Sequence, residues 1–167
     1  MALRAFDLTT LGLYHWDVDL DWKRPRDIEG DDASVALPEE AFEHRGIYRF
    51  VREHHRHGFA GGMTERIGIA YDQSIGKRVS QYTGAPLRGI RNRGRLSISY
   101  ALFDFDGQER RRRYEDVEHI LCFFVQPVAN TQKTRSLPSS AWYRITNRGS
   151  RGDLPKEIVF PALLVSE

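Results

Sequence analysis

The sequence predicts an α+β fold, a small three-stranded antiparallel sheet flanked by helices, with an extension at each end of the chain. Three runs rich in β-branched and aromatic residues, at 46–51, 66–71 and 96–105, are typical of strands. A helical period runs from residue 114 to 126 and stops there. Pro127 follows, which has no backbone N–H and disfavours helix in the residue before it.

These elements divide the chain into three parts. Residues 46–130 hold the predicted core, residues 1–45 form an acidic N-terminal extension, and residues 131–167 form a C-terminal extension that we expect to pack on the core. A chain of 167 residues is long enough to bury one substantial core. The sequence contains no internal repeat and no low-complexity tract.

The composition excludes several classes of protein. The hydrophobic content of 40% and the charged content of 29% are ordinary for a soluble globular chain. No apolar run approaches the roughly 20 residues that span a bilayer, and no signal peptide is visible, so we expect no membrane contact. The single cysteine, Cys122, cannot form a disulfide within the chain, which favours a reducing, cytoplasmic location.

The net charge of +2 conceals an uneven distribution. Residues 1–45 carry 11 acidic and 5 basic side chains, whereas residues 46–167 carry 12 acidic and 20 basic ones. A basic body behind an acidic leader favours a polyanionic partner.

In the N-terminal extension, Asp17, Asp19 and Asp21 alternate with apolar residues, which predicts a short strand with one apolar face. Residues 25–38 read as a loop. Calcium binding by these aspartates is disfavoured because no glycine or closing glutamate follows at the spacing of a calcium loop.

Within the core, the first two strands are expected to pair as a hairpin around a polar turn at 53–58. That turn holds three histidines, and an exposed loop is the favoured interpretation over a metal site, since no second ligand cluster occurs in the sequence. Ser74 is placed to cap a helix over 75–82, and the residues from Gly84 to Pro86 are expected to end it. A basic, glycine-containing loop at 88–95 then leads to the third strand.

In the C-terminal extension, the sequence predicts one further strand at 142–146. It also predicts a closing segment at 154–160 that packs against the core.

The last core helix carries the first candidate site residue. Its apolar side chains fall on one broad face, and Glu118 lies at the border of that face. A carboxylate at such a border can hold a metal ion in a cleft that is partly closed to water, although a solvated glutamate on a helix flank is the common alternative.

Several short motifs occur in one order along residues 46–130. The first strand begins with Gly46-Ile-Tyr48, and the second contains Arg66-Ile-Gly68. The next helix carries Arg78 and, four residues later, Tyr82 on the same face. Pro127 and Asn130 then follow Glu118 by nine and twelve residues.

This set resembles the GIY-YIG nuclease domain, over about half of the chain. Two departures stand out: arginine at position 66 occupies the place of the family's second tyrosine, and the segment from residue 68 to 78 is longer than usual. Tyr71 could reach the same space, but strand alternation would direct it to the opposite face unless a bulge intervenes.

The resemblance implies an endonuclease that hydrolyses DNA with one Mg²⁺ (or Mn²⁺) held by Glu118. It further implies that Tyr48 orients or deprotonates the attacking water, that Arg78 clamps a phosphate oxygen, and that Tyr82 hydrogen-bonds the phosphate or the water. A phenol with a pKa near 10 is a poor base, so a cation must assist it. The supporting residues are expected to be Arg66, Lys77 and Asn130, the last in positioning the helix end.

The glycines of the basic loop would let the backbone approach phosphates, so we expect DNA contacts from Arg88, Arg91, Arg93 and Arg95. The two extensions would then form the recognition surface, in an arrangement that allows a homodimer. Three alternatives remain open: the same fold binding nucleic acid without cutting it, an RNA-directed nuclease, and a protein adaptor that uses the acidic leader.

Overall fold

The structure is a computed structural model, and it describes residues 15–52, 62–91, 95–130, 133, 135–136 and 141–160. Helices and two β-sheets in these residues confirm the α+β class. The predicted histidine turn at 53–58 and Arg93 lie outside the described residues. No helix in the described ranges is long and apolar enough to cross a membrane.

The first sheet has four antiparallel strands in the order β2-β5-β3-β4. They span Arg26–Asp27 (β2), Gly46–Arg52 (β3), Met63–Ala70 (β4) and Leu96–Leu102 (β5). The strand β3 is central and every one of its residues is buried, including Arg49 and Arg52. The strand β2 lies inside the segment that the sequence predicted to be a loop, so the prediction of three strands was wrong by one.

The strands of the second sheet were predicted in part, but their pairing into a sheet was not. This sheet joins the two extensions through the parallel pair β1 (His15–Trp22) and β6 (Trp142–Gly149), and β7 (Glu157–Phe160) adds antiparallel to β6. The alternation seen in the sequence holds along β1, where Val18, Leu20 and Trp22 are buried and the intervening aspartates are exposed. The indole N–H of Trp22 donates to Asn147 over 2.9 Å and fixes this long-range pairing.

Four α-helices cover the first sheet in the described chain: α1 (Glu40–Glu43), α2 (Ile75–Val79), α3 (Ala85–Arg91) and α4 (Arg110–Val125). The predicted cap of α2 is present, since the Ser74 hydroxyl accepts a hydrogen bond from the backbone N–H of Lys77 over 3.3 Å. The helix α4 begins four residues earlier than predicted. It ends as expected, with Gln126 in the left-handed region (φ 54°) directly before Pro127.

The prediction of a basic loop at 88–95 was wrong over the first half of that segment. Residues 85–91 form α3, and Pro86 does not end a helix but lies in the first turn of the next one, where a missing N–H costs nothing. The preceding Gly84 adopts φ 59°, a conformation that favours glycine and that separates α2 from α3.

Two apolar clusters hold the layers together, one on each face of the first sheet. One face packs on α4 and the second sheet through residues such as Ile47, Ile67 and Ile120. The opposite face packs on α1, α2 and α3 and includes Tyr48 and Phe50. Successive residues of β3 therefore face different helices.

A buried arginine ties the C-terminal segment to the first sheet. Arg49 is fully buried and donates to Thr64 over 2.9 Å and to Asp153 over 3.2 Å. Burial lowers the pKa of Arg49 to about 10, so the guanidinium remains charged at neutral pH. Moving Asp153 away would leave the buried charge of Arg49 uncompensated, which is costly. The ion pair therefore fixes the position of the loop before β7.

Candidate functional site

A cleft of about 270 Å³ lies along β4, at the edge of the first sheet. Side chains from both faces of the sheet meet there. Five residues singled out from the sequence line it together: Tyr48, Arg66, Arg78, Tyr82 and Glu118. They come from β3, β4, α4 and the segment that contains α2. The fold therefore brings together side chains that are up to 70 residues apart in sequence.

Tyr48 lies at the floor of the cleft and is almost fully buried. Its hydroxyl donates a hydrogen bond to the hydroxyl of Tyr82 over 3.2 Å, and the two rings meet edge to face. The phenol of Tyr48 lies against the backbone of Gly68, its partner in register on β4. A Cβ at position 68 would be only 2.4 Å from the Tyr48 hydroxyl, so a glycine is required there.

The environment of Tyr48 favours its protonated form. Burial, and then the neighbouring Tyr82 phenol, raise the pKa of Tyr48 well above its ordinary value, while Arg78 and Arg66 counteract this only partly. At neutral pH the phenol is therefore a neutral hydrogen-bonding group. Of the two roles that the resemblance implied, orienting a water fits this environment and removing its proton does not.

Two guanidinium groups lie beside the phenols. The Arg66 guanidinium lies over the ring of Tyr82, 5.2 Å from its centroid. Arg78 donates to the side chain of Gln81 over 2.7 Å. Burial by itself would lower the pKa of Arg78, but Tyr48 and Tyr82 raise it overall, so this group stays charged. Both cations can therefore face an anion in the cleft.

Glu118 enters the cleft from α4, at the border of the apolar face, as the helical periodicity predicted. Only 11% of its side chain is exposed. Its carboxylate accepts a hydrogen bond from the ammonium group of Lys133, which also lines the cleft. The sequence analysis missed Lys133, because a lysine in a polar connector carries no pattern that distinguishes it from a solvated one.

Asn130 acts on the free edge of β4. Its side-chain amide accepts from the backbone N–H of Ile67 over 2.8 Å and donates to the backbone C=O of the same residue over 2.9 Å. The backbone N–H of Ala129 donates to the C=O of Glu65 over 2.9 Å. The turn after α4 thus replaces a neighbouring strand and anchors the chain just ahead of Lys133. This arrangement agrees with the positioning role expected for Asn130.

Tyr71 also lines the cleft. It packs on the α4 face of the sheet, opposite the face of Tyr48, as strand alternation predicted. The guanidinium of Arg111 lies 5.6 Å from the centroid of the Tyr71 ring and is paired with Glu115 over 2.8 Å. Tyr71 is therefore a third phenol at the cleft, on the side of α4.

The other predicted residues lie elsewhere. Lys77 is exposed on α2 and does not line the cleft, so of the two cations expected to support Tyr48 only Arg66 lies in the cleft. Arg88 is exposed on α3, and Arg95 is paired with Asp27; neither lines the cleft. Arg91 is the last residue of α3 rather than part of a loop.

The oxygen ligands in the cleft fit a divalent ion that keeps most of its water molecules, rather than an ion held by several protein side chains. Among the described residues, no group of three or more histidine, cysteine, aspartate or glutamate side chains is placed to hold a metal. Mg²⁺ prefers oxygen ligands and keeps several waters, so the single carboxylate of Glu118 is sufficient in a polar cleft. The Lys133 ammonium contacts the same carboxylate and would have to share it or withdraw.

Comparison with known proteins gave no match to a family model, to a curated protein or to a solved structure.

Proposed function

We propose that this chain is an endonuclease that hydrolyses DNA phosphodiester bonds in the cleft along β4, with one Mg²⁺ or Mn²⁺ held by Glu118. The observation that supports it most is the meeting of two phenols, two guanidinium groups and a nearly buried carboxylate in one cleft. The resemblance of residues 46–130 to the GIY-YIG nuclease domain, which rests on the same residues, gives this set its interpretation.

The two guanidinium groups bind the phosphate of the substrate. Arg78 and Arg66 present planar donors to a phosphate, and a guanidinium binds two phosphate oxygens at once. Arg66 is held by its contact with the Tyr82 ring, so little conformational freedom is lost when it binds. These contacts stabilise charge on the phosphate during attack.

The phenols position the nucleophile. The Tyr48 hydroxyl donates to Tyr82 and interacts with the Arg78 guanidinium, so a remaining lone pair of its oxygen is left to accept a hydrogen bond from a water molecule. The hydroxyl proton of Tyr82 is in turn available to a phosphate oxygen. The pair therefore holds a water and a phosphate in a fixed relation, which lowers the entropic part of the barrier.

A divalent ion on Glu118 would supply charge stabilisation at the scissile phosphate and the leaving oxygen. Glu118 is suited to hold it, since a carboxylate with 11% of its side chain exposed binds cations more strongly than a solvated one.

The test is the nicking of supercoiled plasmid DNA in the presence of Mg²⁺. We expect the wild-type chain to nick and the Glu118→Ala variant to lose nearly all activity. Equal, low activity in both would favour the second candidate, a module that binds nucleic acid without cutting it. Two observations favour that candidate: arginine at position 66 in place of a tyrosine, and Lys133 on the proposed metal ligand.

Labelled DNA and RNA of one sequence, compared side by side, decide between a deoxyribonuclease and a ribonuclease. A protein adaptor would show no retention on heparin or DNA columns even at low salt. We expect retention that falls steeply as the salt concentration rises, because phosphate contacts release counterions.

A further inference from the structure

The contact between Lys133 and Glu118 is the feature of the cleft that the proposed function does not use. The ammonium group donates directly to the carboxylate, and the two side chains are 34% and 11% exposed. Both groups line the cleft together with Arg66 and Arg78. The ion pair therefore lies inside the proposed active site and not on its outer surface.

A divalent ion and the ammonium group need the same partner. A carboxylate this far removed from water has to be paired, and the ammonium is the cation that the chain itself supplies. Any metal that binds Glu118 either displaces the ammonium or accepts its repulsion at close range. Lys133 is therefore a competitor for the proposed metal ligand.

The turn that ends at Asn130, three residues before Lys133, supports this role. This turn is fixed to β4 by the Asn130 amide, which satisfies both backbone groups of Ile67, and by the Ala129–Glu65 hydrogen bond. The chain is thus anchored at Asn130, three residues before Lys133, and the four-carbon stem of the lysine leaves its ammonium able to move. An anchored but movable cation can leave the carboxylate without unfolding the cleft.

We propose that Lys133 is a built-in cation that competes with the divalent metal for Glu118 and so weakens metal binding in the absence of DNA. This inference rests on the proposed function. Once displaced, the ammonium remains within the same cleft as Arg78 and is available to a bound phosphate. Metal and phosphate would then favour each other's binding, because each relieves the cost of moving the lysine.

The test measures Mn²⁺ binding to the full chain without DNA, by titration calorimetry or by the electron paramagnetic resonance of free Mn²⁺, at constant ionic strength. We expect Lys133→Gln to bind Mn²⁺ roughly ten-fold more tightly than the wild type, since a charge-assisted hydrogen bond no longer has to be broken. Lys133→Arg keeps the charge and should bind like the wild type. Lys156→Gln, on an exposed residue outside the cleft, is the matched control and should also be unchanged.

Two failures are distinguishable. If Lys133→Gln binds Mn²⁺ no more tightly than the wild type, while Glu118→Gln abolishes binding, the metal site stands and competition by Lys133 is wrong. If neither the wild type nor Lys133→Gln binds Mn²⁺, the metal site itself is wrong, and the competition and the proposed metal-dependent function fall together. Circular dichroism of each variant checks that the fold is retained.

Discussion

Replacement of Gly68 by alanine tests the packing on which the cleft depends. An alanine Cβ at this position would lie 2.4 Å from the Tyr48 hydroxyl oxygen and 2.5 Å from the ring carbon that bears it. These distances are about 1 Å inside the 3.4 Å at which ordinary contacts begin. The Tyr48 ring is wedged among Phe50 and Tyr82, so it cannot withdraw without disturbing them.

The direction of the effect follows from two opposing terms. With open space around it, alanine in place of glycine in a strand would stabilise the protein by about 0.5–1 kcal/mol, because the unfolded chain loses conformational freedom. Overpacking of a filled core costs about 1–3 kcal/mol. We therefore expect Gly68→Ala to lower the free energy of unfolding by roughly 0.5–2 kcal/mol and to abolish nicking by displacing Tyr48.

The assay is urea denaturation at equilibrium combined with plasmid nicking. Gly89→Ala is the control, because a Cβ at Gly89 meets nothing within 4 Å; alanine should stabilise α3 by about 0.5–1 kcal/mol there. A second background, Tyr48→Leu, removes the ring and should reduce the cost of the substitution at position 68. If Gly68→Ala matches the wild type in both stability and nicking, the described packing of Tyr48 is refuted.

Three further predictions concern the surroundings of the cleft. Asn130→Ala should destabilise the fold by about 1–3 kcal/mol in urea, since two backbone groups of Ile67 lose their partner; a loss below about 0.5 kcal/mol would contradict this edge-capping role. Burial raises the pKa of Cys122 to about 12. At pH 8 the native protein should therefore react with a thiol reagent about 1000-fold more slowly than a free cysteine, with the rate rising toward pH 12. Rapid labelling of the native protein would show that the thiol is accessible. Tyr82→Phe leaves the buried Tyr48 hydroxyl without its acceptor and should slow nicking by about ten-fold or more; an unchanged rate would remove Tyr82 from the site.

The sequence predicted those parts of the fold that depend on local patterns. The strand at 46–51 was predicted from its β-branched and aromatic residues, and the position of Glu118 follows from helical periodicity alone. The end of α4 was predictable because Pro127 leaves the chain no alternative.

The parts that were missed depend on partners distant in sequence. The parallel pairing of β1 with β6 joins residues such as Trp22 and Asn147, which are 125 positions apart, and no local pattern specifies such a partner. The helix α3 was mistaken for a loop because glycine and proline were read as breakers, although Pro86 falls where a first helical turn tolerates it.

The candidate site divides in the same way. Most of its members were named because their motifs resemble a known nuclease domain, whereas no motif marks Lys133, because a long flexible side chain carries its charge far from its backbone. Tyr71 was expected on the face opposite Arg66, and it does pack on the side of α4; it lines the cleft because side chains from both faces meet along the edge strand β4.

The most direct test of the central claim is the rate at which supercoiled DNA is nicked in Mg²⁺ by the wild type and by Glu118→Gln. The exposed residue Glu157 provides the charge-matched control, Glu157→Gln. We predict a loss of about 100-fold or more for Glu118→Gln and no change for the control. Nicking by Glu118→Gln at the wild-type rate, or wild-type nicking no greater than in excess chelator, would contradict the assignment of this cleft as a metal-dependent nuclease site.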